Sequence, residues 1–278
     1  MLRRFFSQFL KPERFEVDFR SVSPQELRRR VIQDGCALLR NALPPASVLR
    51  YRDMIEGIYQ GIAERIRQGE KLSDWDRGHI TDEIVIASYG RENSLLRLLD
   101  APKFTAFMDV LFGKGRHRPS LADTVSRSVD HDQRDTTSLP LAPIHLDGIY
   151  HSTWPYFAIN FWIPFTRCGK GTELPGLIIY PCYFEDVRAA IGISSAKELE
   201  KRREEAPNRV ISMEPINEAL GKLYKEKCIS PITPRFEVGD VMLINSWTPH
   251  GTFWEEGMKG HRRSLELRFC GDGWNPEF

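Results

Sequence analysis

The sequence predicts an α+β chain: an antiparallel β-sandwich or jelly roll with helices packed in front of it and a helical insert between core strands. Three observations carry that expectation. Residues 1–118 are dominated by apolar residues at helical spacing. The stretch 119–278 breaks into short β-rich runs bounded by Gly, Pro and Asp. One charged, helical stretch, 184–228, interrupts those runs. With 278 residues, a single domain spanning 1–278 can bury a substantial core.

The first segment, "MLRRFFSQFLKPERF", sets Arg3 and Arg4 before an apolar stretch. Ser7 and Gln8 break that stretch and Lys11-Pro12 ends it, which is too short for a signal-peptide core; it reads as a short amphipathic element or a frayed end. Ser23-Pro24-Gln25-Glu26 is a capping box with proline at the first helical position, so a helix starts there and ends near Asp34-Gly35. "CALLRNAL" follows as a short strand leading into a turn. Between residues 44 and 70, Val48, Tyr51, Ile55, Ile58, Ile62 and Ile66 recur at spacings of three and four, the stripe of one long helix. Residues 92–113 hold a further helix or pair, interrupted at Pro102 and closed by Gly113.

Beyond them, "SLADTVSRSV", "YFAINFWIPF", "GLIIYP", "FEVGDVMLINSW" and "RRSLELRFCG" read as strands, with Gly239-Asp240 a tight turn before "VMLIN". The insert 184–228 reads either as a solvated excursion or as a lid over a barrel mouth.

Composition narrows the function classes. A net charge of +1 with ordinary charge content gives no sign of a nucleic-acid partner. Nothing approaches the roughly 20 apolar residues of a transmembrane helix. The five cysteines are scattered and form no C-x-x-C pair, which argues against a disulfide framework and a structural zinc site and fits a cytoplasmic location.

The chemistry gathers around "APIHLDGIYHSTWPYFAINFWIPF", residues 142–165. On a strand, His145 and Asp147 project from the same face because side chains alternate with period two. Such a pair could offer a nitrogen and an oxygen to one ion. Completion needs a second histidine at the end of a later strand, and "VMLINSWTPHGT" supplies His250. Two histidines and a carboxylate on one face make the facial triad of non-haem Fe(II) oxygenases, with open positions for a chelating cosubstrate and O2. A keto acid bound there would need a cation at its far carboxylate, and a guanidinium fork matches a carboxylate. Arg262 opens the next strand and shares a face with Ser264, Glu266 and Arg268; Arg263 is its rival, and strand phase alone separates them.

Taken in order, H145-L-D147, Trp162 in "NFWIPF", "PGLIIYP", "GDVMLINSWTPHGT" and R262-R-S264 resemble the phytanoyl-CoA dioxygenase family of Fe(II)/2-oxoglutarate oxygenases. The resemblance covers residues 120–275 and implies a double-stranded β-helix, a cupin-like jelly roll, with N-terminal helices packed on it. It implies His145, Asp147 and His250 as iron ligands and Arg262, with Ser264, as the anchor of the 2-oxoglutarate C5 carboxylate. Trp162 and Thr252 match positions lining the cosubstrate pocket. The chain departs from the family at "PGLIIYPCYF", where many members carry proline-glycine-serine-histidine, and in the charged insert. The implied reaction oxidises a small organic molecule, free or linked to coenzyme A or a carrier protein, with hydroxylation favoured because Asp147 is retained where halogenases carry a small residue.

Other readings stand beside these. Trp162 on a β-run is also a core residue, and Asn160 on its face is also a satisfied strand asparagine. Tyr150, His151 and Trp154 follow the ligand strand and could line a substrate pocket, whereas His131 sits in a polar loop and reads as solvated. Arg127 on "TVSRSV" could point into the barrel, where a buried charge needs a partner such as an acidic ligand. Two other function classes remain: a jelly-roll metalloenzyme using the ion as a Lewis acid, and a non-catalytic binding protein on the same fold.

Overall fold

A three-residue strand, β1 (Glu16–Asp18), precedes the first helix, α1 (Pro24–Gln33), which the capping serine opens: Ser23 Oγ accepts the Glu26 amide at 3.1 Å. This computed structural model describes residues 14–130, 138–139, 141–150, 157–207 and 211–271. Of the features singled out above, the apolar segment at 1–13, His131, His151, Trp154 and the side chain of Tyr150 lie outside the described residues.

Past Asp34 the chain turns at Gly35 and enters β2 (Cys36–Arg40). Helix α2 (Pro45–Arg67) buries Val48, Tyr51, Ile55, Tyr59 and Ile62 as its stripe. Tyr59 takes an inner place on that stripe, while Ile58 and Ile66 are only partly buried. Next come α3 (Asp74–Gly78), β3 (His79–Thr81) and α4 (Asp82–Tyr89). Pro102 separates a 3-10 turn (Leu95–Leu99) from α5 (Pro102–Phe112), and Gly113 at φ 92° ends that helix.

The strand-rich part runs through β4 (His117–Pro119), β5 (Val125–Val129), the short helix α6 (Asp147–Tyr150), β6 (Ala158–Pro164), β7 (Cys168–Gly169) and β8 (Gly176–Ile179). The insert forms α7 (Phe184–Ala190), α8 (Ala196–Glu205) and α9 (Met213–Glu226). Strands β9 (Arg235–Phe236), β10 (Val241–Asn245), β11 (His250–Phe253) and β12 (Arg262–Gly271) complete the chain.

The main sheet has the order β1-β2-β10-β6-β12-β5-β3, with β4 beside β12; two small sheets, β11-β8 and β7-β9, accompany it. Period two sorts the central strand β6 between two apolar layers, which is why all seven of its residues are buried. Ile159, Phe161 and Ile163 face the helices, where Phe161 meets Phe104 and Phe107 edge-on at 5.7 and 6.1 Å. Trp162 faces the other way and packs with Leu38, Met242, Ile244, Leu177, Ile179 and Phe236, side chains of the main and small sheets together. The result is a mixed α+β jelly roll with helices on one face, as the sequence implied. Truncating Phe161 to alanine would cost roughly 3–5 kcal/mol, because it joins sheet to helices.

Two features differ from the expectation. The first part of the chain is not only a helical layer, since the unforeseen β1 and β3 join the expected strand β2 in the main sheet. Strand β2 pairs antiparallel with β10, and its Cys36, Ala37, Leu38 and Leu39 are wholly buried. The insert is no solvated excursion. Phe184, Val187, Leu199, Ile216, Leu220 and Leu223 place α7, α8 and α9 in the main core, and Arg203 of α8 donates to Gly148 O at 2.6 Å.

Candidate metal centre and its cavity

His145 and His250 meet as an isolated antiparallel bridge, with reciprocal amide-to-carbonyl bonds of 2.9 and 3.1 Å. The period-two route to Asp147 is not the one the chain takes. After the bridge it turns into α6, and Asp147 is the first residue of that helix. Glycine permits the turn: Gly148 N donates to Ser246 O at 2.8 Å, and a Cβ on Gly148 would sit 3.0 Å from that same oxygen. Gly251, next to His250, lets the strands close in the same way, since a Cβ there would meet Pro143 O at 2.9 Å.

The three side chains converge, each offering an atom within 4.8 Å of the others. Asp147 Oδ1 lies 3.5 Å from His145 Nε2 and 3.9 Å from His250 Nε2. Each imidazole is anchored at its other nitrogen: His145 Nδ1 lies 2.8 Å from Pro143 O and His250 Nδ1 lies 2.9 Å from Thr248 O. A carbonyl only accepts, so both Nδ1 atoms carry a proton and both rings turn their Nε2 toward Asp147. Backbone carbonyls hold metal-ligating histidines in this way.

The electrostatics agree with a cation between them. Burial pushes the Asp147 carboxyl up, but Arg268, His250 and His145 outweigh it and hold the group well below the usual carboxylate range. Burial lowers His250 to about 4 against the pull of Asp147, so the ring is neutral at pH 7 and its Nε2 is available.

Behind the triad, Arg268 Nε stands 3.8 Å from Asp147 Oδ2, and Asn160 Nδ2 reaches the same oxygen at 3.5 Å. Arg268 also donates to Asp123 O at 2.8 Å and to the Glu266 carboxylate. Burial raises Glu266, yet Arg268 and Arg127 bring it down to about 2. Sequence reasoning placed Arg268 and Glu266 on the face of Arg262 without a role, and read Asn160 either as reaching the site or as a satisfied strand asparagine; the period-two run from Arg262 was the available signal.

Arg262 and Arg263 lie on opposite faces of β12. Arg263 sits over the Tyr59 ring at 4.2 Å and pairs with Glu56, both on α2. Arg262, 2% exposed, lies in the inter-sheet layer 5.1 Å over the Trp162 ring and donates to Gly176 O at 2.9 Å. Gly176 pairs with Phe253, three residues along β11 from His250, which is about 10 Å of strand. Three buried polar atoms of this layer, Arg262 Nε, Ser264 Oγ and Trp162 Nε1, have no hydrogen-bond partner among the described residues. Thr252 Oγ1 accepts the Ala142 amide at 3.1 Å and so ties β11 to the loop before His145.

A cavity of about 360 Å3 opens beside His145 and Asp147. Trp75, Leu139, Leu141, Ile144 and Met213 form much of its wall; His79, Arg127, Glu266 and Arg268 supply polar groups. Met213 and Asn217 bring α9 of the insert to its rim.

No family model matches the chain, and no curated protein matches its sequence. Solved structures do share its fold. The crystal structure of AviO1 from Streptomyces viridochromogenes Tue57 aligns with a TM-score of 0.56 at 13% identity, covering 92% of this chain and 98% of that one. The non-heme alpha ketoglutarate dependent carbocyclase SnoK from nogalamycin biosynthesis aligns with a TM-score of 0.57 at 12% identity over 92% of this chain and 87% of that one. The epimerase SnoN, in complex with Fe3+, alpha ketoglutarate and nogalamycin RO, aligns at 0.52 and 16% identity over 89% and 83%. The fold implied by the sequence resemblance is thus the fold of solved non-heme alpha ketoglutarate dependent enzymes. Among the described residues, no helix is long and apolar enough to cross a membrane.

Proposed function

We propose that this protein is an Fe(II)- and 2-oxoglutarate-dependent oxygenase that hydroxylates a small organic molecule. The observation that carries the reading is the convergence of His145, Asp147 and His250 with both histidine Nδ1 atoms anchored on carbonyls. Two imidazoles and one carboxylate suit Fe(II) and leave positions for cosubstrate and O2. The unpartnered Arg262 Nε and Ser264 Oγ fit the far carboxylate of 2-oxoglutarate, with Trp162 Nε1 beside them.

Each residue then has its own task. Pro143 and Thr248 carbonyls hold the two rings; Arg268 and Asn160 hold Asp147 Oδ2 and leave Oδ1 toward the metal position. Arg262 and Ser264 anchor the cosubstrate, and Thr252 and Trp162 shape its pocket. The apolar wall of the cavity excludes water around the reacting substrate. Iron and 2-oxoglutarate, when bound, supply an O2-dependent oxidant with release of succinate and CO2. Retention of Asp147 leaves no ligand position for a halide in place of the carboxylate, which supports hydroxylation.

The test uses oxygen-free protein loaded with Fe(II). Addition of 2-oxoglutarate should produce the visible metal-to-ligand charge-transfer band of a chelated keto acid, and admission of O2 should release succinate. Absence of both the band and any 2-oxoglutarate binding would rule the oxygenase out and favour the Lewis-acid class, for which Arg262 and Ser264 have no use.

A further inference from the structure

We propose that the cavity beside the triad binds a substrate bearing a carboxylate, and that Arg127 is the residue that pairs with it. The inference rests on the oxygenase reading in calling the bound molecule the substrate and in setting Asp147 against a bound metal and cosubstrate.

Arg127 stands in the middle of β5, with His79 of β3 as its register partner on one side and Ser264 of β12 on the other. This row lies on the inner face of the sheet, and Arg127 and His79 both line the cavity. The Arg127 Nε is buried and has no hydrogen-bond partner among the described residues. Its Nη1 comes no closer than 3.8 Å to Glu266 Oε1, beyond hydrogen-bond reach.

The charges along the cavity leave one cation over. Glu266 is bonded by Arg268 and lies 3.8 Å from Arg127, so one carboxylate faces two guanidiniums. Asp74 is exposed and pairs with Arg77 at 2.9 Å. Asp147 belongs to the metal position. Bound Fe(II) and a 2-oxoglutarate dianion, taken with Asp147 and Arg262, would balance one another. His79 adds no charge at neutral pH, because burial foremost and Arg127 next lower it to about 4. One positive charge is left over among the described lining residues, and Arg127, the guanidinium farther from Glu266, carries it.

A half-buried guanidinium that lines the cavity with its Nε unbonded calls for an acceptor with matching geometry. A carboxylate fits its fork. A single cation balances a carboxylate, whereas a phosphate monoester carries close to two charges at neutral pH. A cavity of about 360 Å3 suits a molecule of ordinary metabolite size and is too small to enclose a whole coenzyme A. Arg262 does not line this cavity. The two arginines therefore serve two carboxylates, cosubstrate at Arg262 and substrate at Arg127.

The experiment measures binding of a series of aryl and alkyl carboxylic acids, 4-phenylbutanoate among them, against their amides of equal shape. The protein is loaded with redox-inert Zn(II) and saturated with 2-oxoglutarate, and binding is read by ligand-observed NMR. Acids should bind at least about tenfold tighter than their amides. Arg127→Gln should abolish that preference, and Arg127→Lys should keep part of it. Equal binding of acids and amides by the wild type overturns the proposal without need of any variant. So does a preference that survives Arg127→Gln, or tighter binding of phenyl phosphate than of the acids. A wild type that binds no 2-oxoglutarate yet keeps an acid preference dependent on Arg127 would remove the oxygenase reading and support the carboxylate site.

Discussion

Arg268 Nε stands 3.8 Å from Asp147 Oδ2, the oxygen turned away from both histidines, while Oδ1 faces the two Nε2 atoms. The arginine therefore sets which carboxylate oxygen is offered to a metal. Arg268→Met should weaken Fe(II) or Mn(II) binding by roughly 10- to 100-fold, the usual effect of losing a group that orients a ligand. It should also destabilise the fold by about 3–5 kcal/mol, since Glu266 would stay buried without the cation it accepts from. Metal titration and denaturant unfolding separate the two effects. Wild-type metal affinity in a folded Arg268→Met protein would leave Arg268 with a structural role only.

His145→Ala and His250→Ala should each abolish stoichiometric Fe(II) binding and leave the fold in place. His145 is half-buried at the cavity edge, and neither ring belongs to the apolar clusters. Metal content after gel filtration, with circular dichroism as the control, checks this. Retention of one bound iron per chain in both variants would end the triad assignment.

Much of this was legible from residue order because period two survives in the strands. The face shared by Arg262, Ser264, Glu266 and Arg268 follows from β12 alone, and the structure keeps it. The capping serine of α1 and the apolar stripe of α2 were legible for the same reason, since local spacing dictates them. The link from His145 to Asp147 was not. The chain leaves strand geometry between them, and the glycine approach at Gly148 depends on Ser246, a residue distant in sequence. His79 was invisible because a three-residue strand has no periodicity to read; Arg127 was legible as a charge turned into the barrel, but its neighbour His79 needs β3 beside it. Tertiary pairing, not local pattern, builds that end of the cavity.

Arg262→Leu and Arg263→Leu should fail in different ways. Removing the Arg262 guanidinium strips a desolvated charge pair from a bound keto acid, roughly 2–5 kcal/mol, so the 2-oxoglutarate KM should rise steeply or binding should vanish. Arg263→Leu should leave 2-oxoglutarate affinity near wild type. It is not silent, however: it removes a cation from the Tyr59 face and from Glu56, so thermal stability should fall by about 1–2 kcal/mol. Isothermal titration with 2-oxoglutarate and thermal melts of both variants give the comparison. The opposite pattern would mean that β12 presents its other face to the cosubstrate.

Acid should destabilise the metal-free protein in two stages. His79 is lowered from its ordinary 6.5 to about 4, by burial first and Arg127 next. Between those values the unfolded chain binds a proton that the folded chain refuses, so stability rises with pH across the window and is lost as pH falls from about 6.5 to about 4. The loss is on the order of 3 kcal/mol for such a group, and His250, lowered by burial to about 4, adds to the same window. Glu266 acts lower down, because its folded value of about 2 against an ordinary 4.5 means its contribution disappears as pH falls through that range. Denaturant unfolding at pH 7, 5.5 and 4.5 should show a steady decline, and His79→Gln should flatten part of it. Equal slopes in wild type and His79→Gln would mean that His79 takes up its proton as readily in the folded protein as in the unfolded chain, and the cavity wall would then gain a second cation beside Arg127 only below its ordinary value of 6.5.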